Sequence, residues 1–258
     1  MVATDFFSAN ATVYDERDRP FLSDEVALRL ATAANIAANA RVLDVGAGTG
    51  RVAIPLARVG CDVVGVDRAG AMLSVLGSKM AGVPLRRAVA DGARLPFSDE
   101  RFDAVIVARL LYLTPDWRDV LREAIRVVKP GGRVLHEWGN GDDTEELVHL
   151  RERARALFER AGAHDPFHPG ARSEADIDRF LTDAGLQHVS DVALGPGGGM
   201  TLGDFVDRIV TGRFSYTWNV PKEVLPSCLQ ELKTWAAKNL DLTRSVPVPR
   251  EQTWRIYA

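Results

Sequence analysis

Cysteine is almost missing from this chain, which carries only Cys61 and Cys228. Two thiols so far apart suggest neither a disulfide framework nor a cysteine-based zinc site. His149, His164, His168 and His188 are scattered without metal-ligand spacing, so no metal is expected. No apolar stretch reaches membrane-spanning length. Met1 to Asn10 lacks the basic start and apolar core of a secretory leader. The expectation is a soluble, cytoplasmic chain with no membrane partner. A long basic run is missing too, and the net charge is −3. Both speak against a large phosphate-binding surface and against nucleic acid as partner. Internal repeats and low-complexity tracts are absent. What is there is 258 residues with 46% apolar content. That suffices for an ordinary buried core, as one large α/β domain or one domain with a sizeable insertion.

The chain is organised around Val42 to Gly50, which reads Val-Leu-Asp-Val-Gly-Ala-Gly-Thr-Gly. Arg41 to Val45 is a short, β-branched, apolar run that suits a strand buried on both faces. Gly46, Gly48 and Gly50 follow at alternate positions, and Arg51 to Val59 reads as a helix that Gly60 stops. A strand turning through glycines into a helix brings bare backbone N–H groups to the carboxyl end of a sheet, where open α/β folds bind ligands. Dinucleotide sites want a third glycine where this chain has Arg51. The pattern here is instead Gly-x-Gly-x-Gly, with Asp44 two residues before the first glycine. It resembles the first motif of class I S-adenosylmethionine-dependent methyltransferases of the small-molecule type. That resemblance implies a doubly wound, mostly parallel seven-stranded α/β sheet, Rossmann-like, with S-adenosylmethionine as cofactor. It implies that Gly46, Ala47, Gly48 and Gly50 hold the methionine part, and that Asp44 orients its amino end.

Asp62 to Val66 reads as a second strand ending at Asp67 and Arg68. An acidic residue there, about 20 residues past the glycines, accepts hydrogen bonds from both ribose hydroxyls of a nucleoside ligand. Capping a helix from Ala71 to Met80 is its other reading. Leu85 to Ala90 is a third strand, ending at Asp91-Gly92-Ala93 and followed by Leu95-Pro96-Phe97. This series resembles the family's adenine motif, which implies that Asp91 accepts from the exocyclic amine and that the N–H groups of Gly92 and Ala93 meet the ring nitrogens. The alternative is an Asx turn that closes a loop. Phe102 to Ala108 is the fourth strand, Pro115 to Val128 a helix with Val120, Leu121 and Ala124 on its buried stripe, and Arg133 to Trp138 the fifth strand. Lys129-Pro130-Gly131-Gly132 reads as the helix stop between them. The resemblance covers roughly Arg41 to Trp138, the cofactor-binding core. Arg109, just past strand four, meets the methionine carboxylate or the substrate, or forms a salt bridge. Tyr112 lines the pocket or packs in the core. Enzymes that methylate nucleobase amines carry Asn/Asp-Pro-Pro-Tyr here; this chain has Ala-Arg-Leu-Leu-Tyr, which puts a nucleobase acceptor in doubt.

The flanks depart from the minimal fold. Residues 1–40 form an arm and a helix that Ser23 caps; in related enzymes an aromatic of this arm covers the cofactor, which suggests Tyr14. Residues 139–194 hold additional helices, Thr144 to Ala161 and Ser173 to Ala184, the second opened by a Ser173–Asp176 capping box. They also hold a sixth strand, Leu186 to Leu194. The last strand, Gln252 to Tyr257 in 252–258, runs antiparallel in the minimal family fold. About 55 residues separate these two strands, far beyond a hairpin connection. Helices from Leu202 to Val210 and Pro221 to Asn239 make 195–251 an inserted helical cap. Inside it, Arg213, Phe214, Tyr216 and Trp218 form an acceptor wall or a packing cluster.

Methyl transfer from a sulfonium is an in-line displacement, and positioning can supply about 7–11 kcal/mol of the barrier. A base is needed only if the acceptor must lose a proton. His136 and Glu137, at the end of strand five, are the candidates, although successive strand residues point to opposite faces; a capping or supporting polar role is the other reading. The function expected is methyl transfer to a small organic acceptor. An NAD(P)-dependent oxidoreductase and a non-catalytic S-adenosylmethionine-binding protein stand as alternatives. The acceptor, the atom methylated and the oligomeric state are not legible in the residues.

Overall fold

The computed structural model describes residues 7–16, 22–138, 144–162, 169–194, 199–212, 217–218, 220–247 and 252–258. Seven strands form the main sheet: β1 (Arg41–Val45), β2 (Asp62–Asp67), β3 (Leu85–Val89), β4 (Phe102–Ala108), β5 (Val128–Glu137), β6 (His188–Leu194) and β9 (Gln252–Tyr257). Their spatial order is β3-β2-β1-β4-β5-β9-β6, parallel except for β9, which pairs antiparallel with both β5 and β6. This is the doubly wound architecture expected, with the order reversing at β1. The last strand occupies the residues assigned to it.

Two helical layers cover the sheet because alternate strand residues point to opposite faces. On one face, α1 (Asp24–Ala33), α2 (Ala53–Arg58) and α3 (Gly70–Lys79) pack against Val42, Ala104, Ile106, Leu135 and Trp254. On the other, α4 (Trp117–Val127) and α6 (Glu174–Asp183) pack against Leu43, Val45, Val105, Val107, Val134 and Tyr257. Ser23 caps α1 by accepting from the Val26 N–H, and Ser173 caps α6 by accepting from the Asp176 N–H, each at 3.2 Å. The reciprocal capping box expected at Ser173 is found instead at Thr201 and Asp204.

Several boundaries differ from expectation. The helix expected from Pro115 begins at Trp117, that expected from Pro221 begins at Leu225, and the sixth strand, expected from Leu186, begins at His188. Two further differences lie near the glycine turn and the entry to β5. The helix after the glycine turn begins at Ala53, not Arg51, because Gly50 at φ +93° is still outside helical space. Lys129 to Gly132 are not a stop between helix and strand. Val128 already pairs with Phe102, and the register shifts between Phe102 and Ala104, so the glycines form a bulged entry into β5.

A third apolar cluster stands apart from the sheet. It unites α5 (Glu145–Arg160), α7 (Leu202–Val210) and α8 (Leu225–Asn239), with β7 (Gly199–Thr201) paired to β8 (Ser245–Pro247). Leu150, Phe158, Phe205, Ile209 and Leu232 fill its centre. The cap therefore draws on two stretches: α5 from before β6 joins the helices inserted after it. No helix among the described residues is long and apolar enough to cross a membrane.

Candidate active site

The parallel strands β1, β2 and β4 end together at Val45, Asp67 and Ala108, and a cavity of about 440 Å³ opens over those ends. That volume is in the range of small-molecule sites. Its wall contains Asp44, Gly46, Ala47, Gly48, Asp67, Arg68, Asp91, Gly92, Arg109 and Tyr14, so ten residues expected at the cofactor site converge on one space.

The glycine turn explains why. Gly46 and Gly48 sit at φ +75° and +55°, a left-handed backbone that costs other residues about 1–2 kcal/mol. The Gly46 and Ala47 N–H groups both donate to the Val66 carbonyl, at 2.8 and 2.9 Å, which fastens the turn to β2. A side chain at Gly48 would make only ordinary contacts, with Met72 Cε at 3.5 Å and the Gly46 carbonyl oxygen at 3.9 Å, so this position is not crowded. Gly50 differs. A side chain there would fall 2.7 Å from Ile54 Cδ1, and Gly50 is outside the cavity wall. Its absence of a side chain serves the packing of α2 and α3, not ligand approach.

Asp67 accepts from the Gly48 N–H at 2.9 Å and from the Ala69 N–H at 2.8 Å, one on each oxygen. The bond to Ala69 is an Asx-type turn rather than a helix cap, since Ala69 is itself the N-cap residue and α3 has no side-chain cap. Asp67 also lines the cavity. Burial pushes its carboxyl above the ordinary aspartate range. Asp91 closes an Asx turn onto the Ala93 N–H at 3.0 Å through Oδ1, while Oδ2 has no partner among the described residues. Ala93 is outside the wall, its N–H being used in that turn. Gly92 is required sterically: a side chain would lie 2.8 Å from Val45 Cγ1. Asp44 is 2% exposed. Burial pushes its carboxyl up to about 7, opposed by Arg51 and assisted by Asp67 and Glu137.

Neither candidate base faces the cavity. His136 is fully buried on the α4/α6 face, stacked on Tyr257 at 5.8 Å and with Nε2 3.6 Å from Asp178. Glu137 lies on the opposite face, as strand alternation demands. Its Oε1 accepts from Arg109 Nε and Nη2, each at 2.6 Å, and its Oε2 from Arg51 Nη2. Burial pushes the Glu137 carboxyl up, but the two guanidiniums outweigh it and hold it below the ordinary glutamate range. It is a carboxylate paired with both arginines. Arg109 has φ +55° and donates its backbone N–H to the Glu137 carbonyl at 2.8 Å.

The acceptor candidates are placed as follows. Tyr112 packs edge-on to Trp138 at 5.5 Å, outside the cavity wall. Trp218 meets Tyr14 edge-on at 6.4 Å and donates to the Gly212 carbonyl at 2.9 Å. It thereby joins the cap to the N-terminal segment. Arg213, Phe214 and Tyr216 lie outside the described residues. The wall also has members that sequence reading passed over: Phe7, Asp15, Thr49, Met72, Leu110 and Leu113. Asp15 accepts from Thr49 Oγ1 at 2.5 Å and from Lys79 Nζ, so the N-terminal segment is pinned to the glycine turn. Nothing local in the sequence announces that pairing, since the partners are remote. Arg51 was visible only as the place where a glycine is missing.

Comparison with known proteins agrees with this geometry. Residues 43–136 match the family model described as a methyltransferase domain. An uncharacterized methyltransferase of Mycobacterium tuberculosis, Rv3342, is 35% identical over 161 residues, 58% of this chain and 63% of that one. The demethylmenaquinone methyltransferase of Clavibacter sepedonicus is 41% identical over 110 residues, 42% of this chain and 45% of its own length. The chain spans about two fifths of the length of the first curated relatives it matches. Among solved structures, a Bacillus halodurans protein provisionally named as a methyltransferase superposes with a TM-score of 0.61 at 22% identity, over 90% of this chain and 96% of that one. The fold is the Rossmann-like methyltransferase fold, and residues 43–136 are similar to the methyltransferase-domain family.

Proposed function

We propose that the cavity binds S-adenosylmethionine and that the chain transfers its methyl group to a small organic acceptor. One observation carries the reading. Three carboxylates, Asp44, Asp67 and Asp91, stand at the ends of adjacent strands around a glycine turn whose backbone faces the cavity.

The donor set fits that cofactor. Gly46, Ala47 and Gly48 leave room for its methionine part, and Asp44 is placed to orient the amino group. Asp67 lines the cavity where it can accept from the ribose hydroxyls, and Asp91 retains Oδ2 for the adenine amine. The wall is acidic around these points, which suits a cation. When bound, the sulfonium supplies an activated methyl group. This chain's residues then bind, orient and exclude water, with Phe7 and Tyr14 covering the cavity from the N-terminal side and the helical cap joined to them through Trp218. No general base is assigned: Glu137 is paired with two guanidiniums and His136 faces away. A cytoplasmic setting and a small-molecule acceptor belong to this reading.

The test is isothermal titration of the purified chain with S-adenosylmethionine, S-adenosylhomocysteine and NADH. Micromolar binding of the first two and none of the third is expected. Binding of NADH alone would overturn the reading. Turnover is checked by S-adenosylhomocysteine release with a panel of small acceptors. Demethylated quinols come first, because the Clavibacter relative bears that activity in its name. Cofactor binding without turnover on any acceptor would favour a non-catalytic binder.

A further inference from the structure

The turn that carries Asp91 is held at its far end by one ion pair on α4. Within the turn, Asp91 Oδ1 accepts from the Ala93 N–H at 3.0 Å, and the Asp91 carbonyl accepts from the Arg94 N–H at 2.9 Å. Its entry is fixed by the Ala90 N–H, which donates to the Asp67 carbonyl at 3.1 Å. Its exit is Leu95. There the N–H donates to Glu123 Oε2 at 2.7 Å, and the carbonyl accepts from Arg126 Nη2 at 3.2 Å. Glu123 and Arg126 are themselves joined, Nε to Oε1 and Nη2 to Oε2, each at 2.7 Å. A two-pronged pair of this kind fixes orientation as well as distance.

Arg126 holds the rest of the loop too. Its Nη1 donates to the Phe97 carbonyl at 2.8 Å and to Asp99 at 2.7 Å, and its own carbonyl accepts from the Glu100 N–H at 3.0 Å. Residues 95–100 therefore wrap one side chain, with Glu100 at φ +53° closing the wrap. The hydrogen bond to Arg126 holds the Glu123 carboxyl below the ordinary glutamate range. Neither Glu123 nor Arg126 lines the cavity. The same helix reaches the cavity through Val120, which lies beside Gly92. So α4 supplies part of the wall and, three and six residues further on, anchors the loop that presents Asp91.

That anchoring bears on selectivity. A site rejects a ligand lacking the right donor because its own polar group is then left unpaired. The penalty is felt only where the acceptor cannot drift away from the ligand, so the support behind it matters as much as the acceptor itself. We propose that Arg126, together with Glu123, is the positioning residue that fixes the Asp91 turn for reading the base of a bound nucleoside. This rests on the methyltransferase reading, in which that nucleoside is the adenosine of the cofactor.

The experiment titrates the full chain and its Arg126→Gln, Arg126→Lys and Glu123→Gln variants with 5′-methylthioadenosine and 5′-methylthioinosine. The two differ only at the base, where inosine has an oxo group in place of the amine. The wild type should prefer the adenine ligand by about 10- to 150-fold, the range of a hydrogen bond to a charged group. Arg126→Gln should lower that ratio by about tenfold, through weaker binding of the adenine ligand. Arg126→Lys keeps the charge but not the fork and should recover part of the ratio. A lower melting temperature with an unchanged ratio in Arg126→Gln would mean a scaffold only and would overturn the proposal. If Arg126→Gln does not fold, Glu123→Gln decides. Its single amide oxygen cannot accept both prongs and the Leu95 N–H, so the ratio should again fall, and an unchanged ratio overturns the proposal. Equal affinity of the wild type for both nucleosides overturns it as well. A wild type that binds neither nucleoside nor S-adenosylhomocysteine would instead remove the methyltransferase reading, and this role of Arg126 with it.

Discussion

The Gly48 N–H donates to Asp67 Oδ2 at 2.9 Å, so the glycine turn after β1 and the acidic end of β2 form one hydrogen-bonded unit. Replacing Asp67 consequently has two effects. Asp67→Ala removes acceptors for the ribose hydroxyls, at about 0.5–1.5 kcal/mol each, so affinity for S-adenosylhomocysteine should fall about 5- to 150-fold. It also strips the partners from the Gly48 and Ala69 N–H groups, and the melting temperature should drop. Calorimetry on a folded variant checks the first effect. An unchanged affinity would remove Asp67 from the ribose site.

The three glycines of the turn should separate by experiment. Gly48→Ala adds a methyl that makes only ordinary contacts, at φ +55°, and should cost about 1–2 kcal/mol of stability, with a large loss of cofactor affinity. Gly50→Ala meets Ile54 at 2.7 Å as well as an unfavourable φ, so overpacking adds about 1–3 kcal/mol. Denaturant melts should rank Gly50→Ala as the less stable variant. The opposite ranking would contradict the assignment of Gly50 to packing.

Asp44 should make stability depend on pH. Burial raises its folded carboxyl to about 7, while the unfolded value is near 3.9. Between those limits the folded state holds a proton that the unfolded state has lost. Stability from this group is complete below about pH 4 and falls as pH rises through about 7. Arg51 opposes the shift, and Asp67 and Glu137 reinforce it. Melting temperatures measured from pH 5 to 8 should decline more steeply for the wild type than for Asp44→Asn. Parallel curves would refute the buried-acid account.

Asp178 has the opposite sign. Burial pushes it up, but nearby His136, the hydrogen bond from Tyr257 and the charge of Arg255 dominate and hold it at about 2. Its contribution is present above about pH 4 and is lost as pH falls towards 2. The Tyr257 hydroxyl and Arg255 both bond to Asp178, which ties α6 to β9. Tyr257→Phe should cost about 1.5–3 kcal/mol in urea melts at pH 7, since the bond lost is to a charged group. The loss should be smaller at pH 2.

The pin between the N-terminal segment and the turn should be weak alone. The Asp15 and Lys79 side chains are about 30% exposed, and such pairs contribute about 0–1 kcal/mol. Asp15→Asn should therefore leave cofactor affinity within about fivefold, while limited proteolysis near residue 15 quickens. Unchanged cleavage would show that Phe7 and Tyr14 hold the segment without the pin.

What the sequence by itself determined is everything encoded within a few residues. The apolar alternation of β1 and β4, the left-handed glycines, the acidic strand ends at Asp67 and Asp91, and the caps at Ser23 and Ser173 follow from local sterics and hydrogen bonding. Ten of the residues expected to bind the cofactor line one cavity. Tertiary structure decided the rest. That Glu137 braces Arg51, 86 residues away, depends on the register of β4 against β5 and on where the glycine turn lands. That Gly50 packs while Gly48 faces a ligand space depends on Ile54 and Leu76 arriving from two helices. That α5 belongs with α7 and α8 depends on burying its apolar face, Leu147, Leu150, Ala154 and Phe158, against helices that come after β6. Side-chain burial and charge pairing act between neighbours in space, and only the folded chain says which residues those are.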